Sequence, residues 1–438
     1  MIFHVLNEGC RLRSPSPLRA RPRKGRGADS ARPLDVNNGG IFVSLTLLKT
    51  SVFRFGLAGL IVACITAPAP AQTFQTTAPY ALLMDYDTRT VLFEKAADDL
   101  MAPASTAKIM TAEIVFHEIT EGRLKLDDEF TISENAWRKG GASAGGSSMF
   151  AALNSRVRIE DLIKGLVIQS GNDAAIALAE GIAGSEENFA AMMTKRARQL
   201  GLQKSTFTNP WGRGDPAQKV TAREMAFLSA HVIEAYPELY KYFGEKEFTW
   251  NKVRQLNRNP LLTMDLGADG LKTGNIEESG FGLVGAAKQG EQRLIVVVNG
   301  SKTAKDRADE ARKLIQWGMR AFESKVLFQS GDVIGTAKMF GGDSADVQLV
   351  AKGPVKVLIP RGSGERISAK IVYDGPIQAP VEEGVEIARL KVTRGSVLAL
   401  DLPLRTKTRV GVGPLWRRAF DAGYELTGML IRKNLSKN

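Results

Sequence analysis

The sequence predicts an α/β (α+β) protein with a central antiparallel sheet flanked by helices, followed by a small all-β domain. Runs with helical periodicity precede and follow three consecutive strand-like segments, which indicates a sheet packed between helices. Beyond Val326 the pattern changes to short apolar runs separated by Gly and Pro turns. The 438 residues, 44% hydrophobic and 24% charged, are enough for two globular domains with separate cores.

The first 71 residues differ from the rest of the chain in charge and pattern. They hold ten Lys/Arg and three Asp/Glu, so +7 of the total net charge of +12 lies in this leader. The remainder is only mildly basic, and no nucleic-acid partner is expected. Residues 1–40 show no hydrophobic periodicity, and we expect them to be disordered.

Residues 49–71 have the three parts of an export signal. Lys49 and Arg54 precede the apolar run 55–65, and the small-residue segment 67–71 follows, which predicts cleavage after Ala71. About eleven apolar residues are too few to cross a hydrocarbon core of about 30 Å, so a spanning helix is the weaker interpretation. Because a signal normally begins a chain, we expect the true start to lie after the first ~40 residues.

Cysteine and histidine limit the possible chemistry. Cys10 and Cys64 both lie in the leader, so the exported chain would have no disulfide and no cysteine-based metal site. His117 and His231 would be its only histidines, and neither belongs to a His-Glu-x-x-His pattern. No metal, no cofactor and no Ser-His-Asp triad are expected.

The first part of the exported chain reads as a hairpin followed by helices. Two apolar runs between Tyr80 and Lys95 flank the polar stretch 85–89 and predict a hairpin. A helix begins after Pro103, and the Gly- and Ser-rich segment 140–150 predicts a loop. Further helices are predicted over 161–169, 174–182, 187–200 and 222–235, with a loop over 209–216.

The second part contains the predicted sheet and the C-terminal domain. Segments 269–275, 280–287 and 293–299 predict an antiparallel meander, and a helix over 306–322 closes the domain. Later strands are predicted over 355–360, 367–373, 385–392 and 397–402. The expected organisation is a leader (1–71), a catalytic domain (72–325), a β-rich domain (326–410) and a tail (411–438).

Ser105 and Lys108 are the first candidate catalytic pair. They lie three residues apart at the head of the helix after Pro103, so we expect them to share one helix face. If burial or nearby cations lower the pKa of the lysine, its amine can take the serine proton and make Ser105 a nucleophile. The alternative is a serine that only caps the helix.

Two more motifs carry suitable groups. Ser170-Gly171-Asn172 interrupts two helical runs, and we expect the glycine to make a tight turn that displays a hydroxyl and a carboxamide. An ordinary capped turn is the alternative. Lys272-Thr273-Gly274 lies on the first meander strand, where a cation and a hydroxyl can hold a carboxylate and the lysine can repel a proton from Lys108.

The three motifs, in this order and on these elements, resemble the signature of penicillin-binding proteins and class A β-lactamases. From about Tyr80 to its C-terminus the chain is most similar to the low-molecular-mass penicillin-binding proteins, the serine-type D-alanyl-D-alanine carboxypeptidase family. The resemblance implies the β-lactamase/DD-peptidase-like fold. It also implies Ser105 as the acylated nucleophile, Lys108 as its general base and Ser170 as a proton relay.

The same resemblance implies the substrate-binding residues. Asn172 would orient the substrate, and Lys272 and Thr273 would face its carboxylate. Gly274 would let the substrate backbone lie along the strand. Because this strand is expected to lie at a sheet edge, we expect the Lys272 side chain to have little packing. The backbone N–H groups of Ser105 and Asn275 would form the oxyanion hole. Arg307, at the start of the helix after the meander, falls where the family often has a carboxylate-binding arginine.

The implied reaction removes the terminal D-alanine from peptidoglycan stem peptides through an acyl-serine, with β-lactam antibiotics as inhibitors. A serine β-lactamase and a D,D-endopeptidase acting on crosslinks are the alternatives. Class A β-lactamases deacylate with a glutamate, and residues 188–223 contain none, which argues against the first alternative. The endopeptidase alternative stays open.

The tail predicts an amphipathic helix. Trp416, Phe420 and Leu430 share one side at helical spacing, while Arg417 and Glu425 lie mainly on the other. Polar residues interrupt the apolar side too often for a bilayer span, so we expect the helix to lie in a membrane interface. The family resemblance implies that this is the periplasmic face of the inner membrane. A terminal helix docked on the β-rich domain is the alternative.

Overall fold

The computed structural model of the chain describes residues 3–7, 74–362, 366–395 and 397–423. The predicted export signal, the cleavage point after Ala71 and the tail beyond residue 423 lie outside the described residues. Among the described helices, none combines the length and hydropathy required to cross a bilayer.

The helices lie mostly between the first hairpin and the meander, as predicted. They are α1 (Lys108–Thr120), α2 (Glu134–Gly140), α3 (Ile159–Lys164), α4 (Asn172–Ala183), α5 (Glu186–Gln199), α6 (Ala222–Ala235), α7 (Pro237–Tyr240), α8 (Ala304–Ala321) and α9 (415–423).

The described strands fall into two main sheets and three two-stranded sheets. They are β1 (Phe3–Asn7), β2 (Tyr80–Asp85), β3 (Val91–Lys95), β4 (Glu129–Thr131), β5 (Arg156–Arg158), β6 (Glu247–Trp250), β7 (Val253–Leu256), β8 (Ala268–Ile276), β9 (Gly280–Gln289), β10 (Gln292–Ser301), β11 (Phe322–Phe328), β12 (Gly335–Phe340), β13 (Asp346–Val350), β14 (Val355–Pro360), β15 (Ile367–Tyr373), β16 (Ile377–Gln378), β17 (Glu386–Arg394) and β18 (Val397–Thr406).

The central sheet is antiparallel, with strand order β3-β2-β10-β9-β8. Its side chains alternate between two cores, as strand geometry requires. Leu82 and Met84 of β2 pack into a core formed largely by α1, α4, α5 and α6. Ala81 and Leu83 pack on the other face, in a core that includes residues of α8. The predicted antiparallel sheet flanked by helices is therefore confirmed.

Local sequence explains where several helices begin. The Ser133, Ser185 and Thr221 side chains each accept a hydrogen bond from a backbone N–H in the first turn of α2, α5 and α6. Thr303 accepts from the N–H of Asp306 at the start of α8. The caps of α5, α6 and α8 lie within about three residues of the predicted N-termini, whereas α2 was not predicted.

The C-terminal domain is all-β, as predicted. Its seven-stranded sheet has the order β1-β15-β17-β18-β13-β12-β16, and β11 pairs with β14 beside it. Buried aliphatic residues such as Leu349, Leu390 and Leu404 form its core. The pattern had predicted four of these strands and missed β11, β12, β13 and β16, which are short or carry few apolar residues.

Residues Phe3–Asn7 correct one expectation. We predicted no structure before residue 40, but this segment forms β1 and pairs in parallel with β15. The edge of β15 offers unpaired backbone N–H and C=O groups, which a short extended segment can satisfy without helical or strand periodicity of its own.

The first turns of the tail are helical, as predicted. Trp416 and Phe420 of α9 are 71% and 72% exposed. The same helix contacts the β-rich domain, because Arg417 donates to the Asp343 carbonyl and Asp421 accepts from the N–H of Gly341.

Candidate active site

Ser105 lies on a 3-10 turn, Ala104–Ala107, that leads directly into α1. Its side chain caps neither the turn nor the helix, so the capping alternative is wrong. Ala104 adopts a left-handed backbone conformation with φ of 48°, and the loop residue Gly212 packs against its carbonyl so closely that a Cβ at Gly212 would lie 1.9 Å away. Gly212 thus packs directly against the turn, and Ser105 lines a cleft.

The Lys108 amine is completely buried next to this hydroxyl. Its Nζ lies 3.1 Å from Ser105 Oγ, and it donates to Asn172 Oδ1 at 2.8 Å and to the Trp211 carbonyl at 2.6 Å. A neutral amine has two N–H groups and one lone pair. With both N–H groups occupied by Asn172 and Trp211, the lone pair faces Ser105, which is the orientation required to accept its proton.

The surroundings of Lys108 favour this neutral form. Burial lowers the pKa of Lys108 well below its usual value, and the cations of Lys272 and Arg258 lower it further, while Asp173 opposes them. This agrees with the prediction that burial and a neighbouring cation act together on the amine. These contributions favour the protonation state in which Lys108 can act as a base.

The Ser170-Gly171-Asn172 turn connects a π-helical turn, Gly165–Gln169, to α4. Ser170 itself adopts the left-handed conformation, with φ of 69°, whereas Gly171 has φ of −54°. Glycine is needed at 171 for space, since a Cβ there would lie 2.8 Å from Asp173 Oδ1. The predicted turn between the two helical segments is present, and its left-handed residue is Ser170.

Asp173 fixes the Gly- and Ser-rich loop beside this turn. Its buried carboxylate accepts hydrogen bonds from the Ser148 hydroxyl at 2.7 Å and from the backbone N–H groups of Met149 and Ala151. Asn172 donates its own backbone N–H to the Ser147 carbonyl at 2.8 Å. The loop predicted over 140–150 is therefore anchored next to Lys108 and forms one wall of the cleft.

Lys272 lies on β8, the edge strand of the central sheet, but its side chain is only 1% exposed. The expectation of an edge lysine with little packing is wrong, because surrounding elements cover the strand. Burial lowers the pKa of Lys272 to about 7, with further contributions from the Arg258 and Arg307 cations. Its Nζ donates to the Thr273 carbonyl at 3.1 Å.

Gly274 is needed for a reason different from the predicted one. A Cβ at this position would lie 3.0 Å from Ser105 N, from the Pro103 carbonyl oxygen and from Ala104 Cβ. The Ser105 turn therefore packs against Gly274 in the space that a side chain would occupy. This close packing sets β8 directly beside Ser105, so the backbone of Asn275 lines the same cleft.

The cleft has two lobes, and Ser105 and Asn275 line both. The first lobe, of about 630 Å³, is also lined by Ser170, Thr273 and Arg307. The second, of about 460 Å³, is lined by residues of the Gly- and Ser-rich loop, by Asn172 and by Trp211–Arg213 of the 209–216 loop. All the predicted site residues except the buried Lys108 and Lys272 line one of the lobes, and Lys108 contacts Ser105 from below.

Arg307 faces the first lobe from the first turn of α8. Its guanidinium lies 6.0 Å from the Phe281 ring, and its Nε is buried with no hydrogen-bond partner among the described residues. Burial lowers the pKa of Arg307. A buried donor without a partner is unfavourable, and an anion in the lobe would satisfy it.

Arg258 is a site residue that the sequence analysis missed. It lines both lobes, and its Nε donates to the Gln169 carbonyl at 3.1 Å. It follows the β6–β7 hairpin, which the sequence analysis also missed. The signal for this hairpin is the pair Asn251-Lys252, a two-residue turn between two runs of residues that favour strands. Both turn residues have positive φ, as that turn type requires.

Metal-ligating side chains do not cluster in this part of the molecule. Within the described ranges, no group of three or more His, Cys, Asp or Glu residues could hold a metal ion. The chemistry available at the cleft is that of a serine hydroxyl, a buried amine and a set of cations.

A serine paired with a buried lysine, beside a Ser-x-Asn turn and a Lys-Thr-Gly edge strand, defines a class of acyl-serine enzymes. Residues 65–303 match the family described as D-alanyl-D-alanine carboxypeptidase, and residues 322–411 match the C-terminal domain of penicillin-binding protein 5. The chain belongs to the D-alanyl-D-alanine carboxypeptidase family.

Individual relatives agree with this assignment. The chain is 39% identical to D-alanyl-D-alanine carboxypeptidase DacC of Escherichia coli (strain K12) over 84% of this chain and 93% of that protein. Penicillin-binding protein 5 from Haemophilus influenzae superposes with a TM-score of 0.71 at 36% identity, covering 78% of this chain and 100% of that one. Penicillin-binding protein D2 from Listeria monocytogenes, in its ampicillin-bound form, has a TM-score of 0.51 at 27% identity and covers 57% and 100%.

Proposed function

We propose that this chain removes the terminal D-alanine from peptidoglycan stem peptides, with Ser105 as nucleophile and Lys108 as general base. The observation that carries the proposal is the contact of the buried Lys108 amine with Ser105 Oγ, with its other two contacts made to hydrogen-bond acceptors. As the Ser105 oxygen attacks the carbonyl carbon of the D-Ala-D-Ala peptide bond, its proton passes to Lys108 Nζ.

The tetrahedral intermediate carries its negative charge on the former carbonyl oxygen. The backbone N–H groups of Ser105 and Asn275 are its proposed donors, since both residues line the cleft at the point where the lobes meet. When the C–N bond breaks, the leaving D-alanine nitrogen takes a proton by way of Ser170, which lines the lobe that would hold D-alanine. Asn172 holds Lys108 and orients the substrate.

The terminal carboxylate of the substrate occupies the first lobe. Thr273 and Arg307 face it there, and Lys272 adds positive charge from below the surface. The partnerless Arg307 Nε supports this assignment, because a carboxylate supplies the missing acceptor. Water then hydrolyses the acyl-serine, which releases the shortened peptide and restores Ser105. A β-lactam would acylate Ser105 in the same way.

Labelling with a fluorescent penicillin and D-alanine release from a pentapeptide ending in D-Ala-D-Ala test this function. We expect slow-turnover labelling of the wild type and D-alanine release, both of which Ser105→Ala abolishes. The exposed loop variant Ser143→Ala is the matched control and should behave as wild type. Rapid drug hydrolysis without D-alanine release would instead support a β-lactamase, and labelling of Ser105→Ala at the native rate would reject Ser105 as nucleophile.

We also propose that the chain is exported and that its tail binds the outer face of the inner membrane. The signal-like residues 49–71 and the cell-wall activity of the family support export. Exposed Trp416 and Phe420, one helical turn apart on α9 with Arg417 beside them, support a surface-lying helix. Deletion of residues 413–438 should release active enzyme from membranes; a truncated enzyme that still sediments with membranes would contradict the anchor.

A further inference from the structure

Trp211 makes two contacts that belong to different parts of the site. Its backbone carbonyl accepts a hydrogen bond from Lys108 Nζ at 2.6 Å. Its indole Nε1 donates to Glu186 Oε2 at 2.9 Å. The group that orients the catalytic amine is therefore part of a residue whose side chain is held by a nearly buried carboxylate.

Glu186 also joins Trp211 to the helix that leads into the Gly- and Ser-rich loop. Its other oxygen, Oε1, accepts from Asn135 Nδ2 and from Lys139 Nζ, each at 3.0 Å. Both of these residues lie on α2, whereas Glu186 begins α5. One carboxylate thus links α2, α5 and the 209–216 loop, and Trp211 of this loop lines the second lobe.

We propose that Glu186 is a positioning residue for acyl transfer, which fixes the Trp211 carbonyl against Lys108 by holding the Trp211 indole. The inference rests on the proposed function, and Glu186 does not itself contact the substrate. It lines a separate cavity of about 320 Å³ behind Trp211 and lines neither lobe of the cleft.

The amine geometry explains why this position matters. With Trp211 in place, two acceptors hold both N–H groups of neutral Lys108 and leave its lone pair for the Ser105 proton. If the carbonyl moves, the amine can rotate and turn an N–H group toward Ser105 instead. A displacement of about 1 Å in such a contact can lower a rate by about 100-fold.

Other contacts limit the expected loss. The Thr111 hydroxyl donates to the Pro210 carbonyl at 2.5 Å, and Asn209 Oδ1 accepts from the N–H of Gly212 at 2.8 Å. These contacts keep the 209–216 loop near α1 when Glu186 is removed. We therefore expect a slower acylation and a folded protein.

The test measures the rate constant for acylation by fluorescent penicillin, together with thermal unfolding, in four single variants and one double variant of the full chain. Glu186→Ala removes the acceptor, Trp211→Phe keeps a ring but removes the N–H donor, and Glu186→Gln retains an oxygen that can accept from the indole. Glu187→Ala, at the adjacent exposed residue that lines the same cavity, is the matched control.

We expect Glu186→Ala and Trp211→Phe each to slow acylation by about 10- to 100-fold. Glu186→Gln should give a rate between those of Glu186→Ala and wild type, because its single amide oxygen cannot accept from both the indole and the α2 donors. The double variant Glu186→Ala/Trp211→Phe should be no slower than the slower single variant, because both changes break one contact. Multiplied losses in the double variant, or a normal rate in Trp211→Phe, would overturn the inference. Failure of the wild type to be labelled would instead refute the proposed function.

Discussion

Replacing Lys272 by methionine should stabilise the protein while it removes activity. Methionine has a similar length and no charge, so it can fill the buried space of Lys272 without desolvating an ammonium. Under the proposed function, the wild-type site keeps this cost because the charge would hold the substrate carboxylate. The variant therefore separates what Lys272 does for folding from what it does for substrate binding.

The pKa of Lys272 gives the magnitude. Burial lowers this pKa from its usual 10.5 to about 7, and at 1.36 kcal/mol per pKa unit the difference corresponds to about 5 kcal/mol. The unfolded chain binds more protons than the folded chain between pH 7 and pH 10.5, so stability rises with pH in this window. The destabilisation is complete below pH 7 and absent above pH 10.5.

Unfolding of wild type and Lys272→Met as a function of pH checks this reasoning. We expect the variant to be more stable by up to about 5 kcal/mol at pH 7, with a difference that shrinks steadily toward pH 10.5. The release of D-alanine should be severely reduced in the same variant. A variant less stable than wild type at pH 7, or a stability difference independent of pH, would refute the burial of a costly ammonium.

Three other changes test the supporting geometry. Lys108→Ala should fold and lose at least about 100-fold in acylation, as measured by penicillin labelling; a normal rate would place the proton acceptor elsewhere. Asp173→Asn should lower stability by about 1–3 kcal/mol in thermal unfolding, because an amide cannot accept all the loop bonds that Asp173 accepts, while exposed Asp99→Asn should have no effect. Gly274→Ala should slow acylation by displacing the Ser105 turn, whereas Gly353→Ala, with open space around it, should match wild type.

The sequence could predict those parts of the site and fold that depend on short-range spacing along the chain. Ser105 and Lys108 meet because residues three apart share a helix face, and the meander β8-β9-β10 follows from alternating apolar runs. The Trp211 carbonyl could not be predicted in the same way. A backbone acceptor has no residue-type signature, and this one reaches Lys108 from a loop about a hundred residues further along the chain.

Burial at a sheet edge was also beyond the sequence pattern. The sequence around Lys272 is polar and typical of an exposed edge strand. In the structure, however, β8 contacts the Ser105 turn and the 3-10 turn Lys241–Gly244. Whether an edge is covered depends on elements that are distant in sequence. The Arg258 cation lowers the pKa of both Lys108 and Lys272. For the same reason, no sequence motif marked Arg258 as a site residue.

The charges around the cleft imply that the carboxylate of the substrate helps to activate the site. An anion in the first lobe favours the charged form of Lys272, so binding should raise the pKa of that lysine and draw a proton from solution above pH 7. The protonated Lys272 in turn lowers the pKa of Lys108, as its cation already does in part. A carboxylate therefore protonates one lysine and, through that charge, keeps the other neutral. A peptide with its C-terminus amidated lacks this charge, so it should acylate Ser105 slowly even when it occupies the cleft.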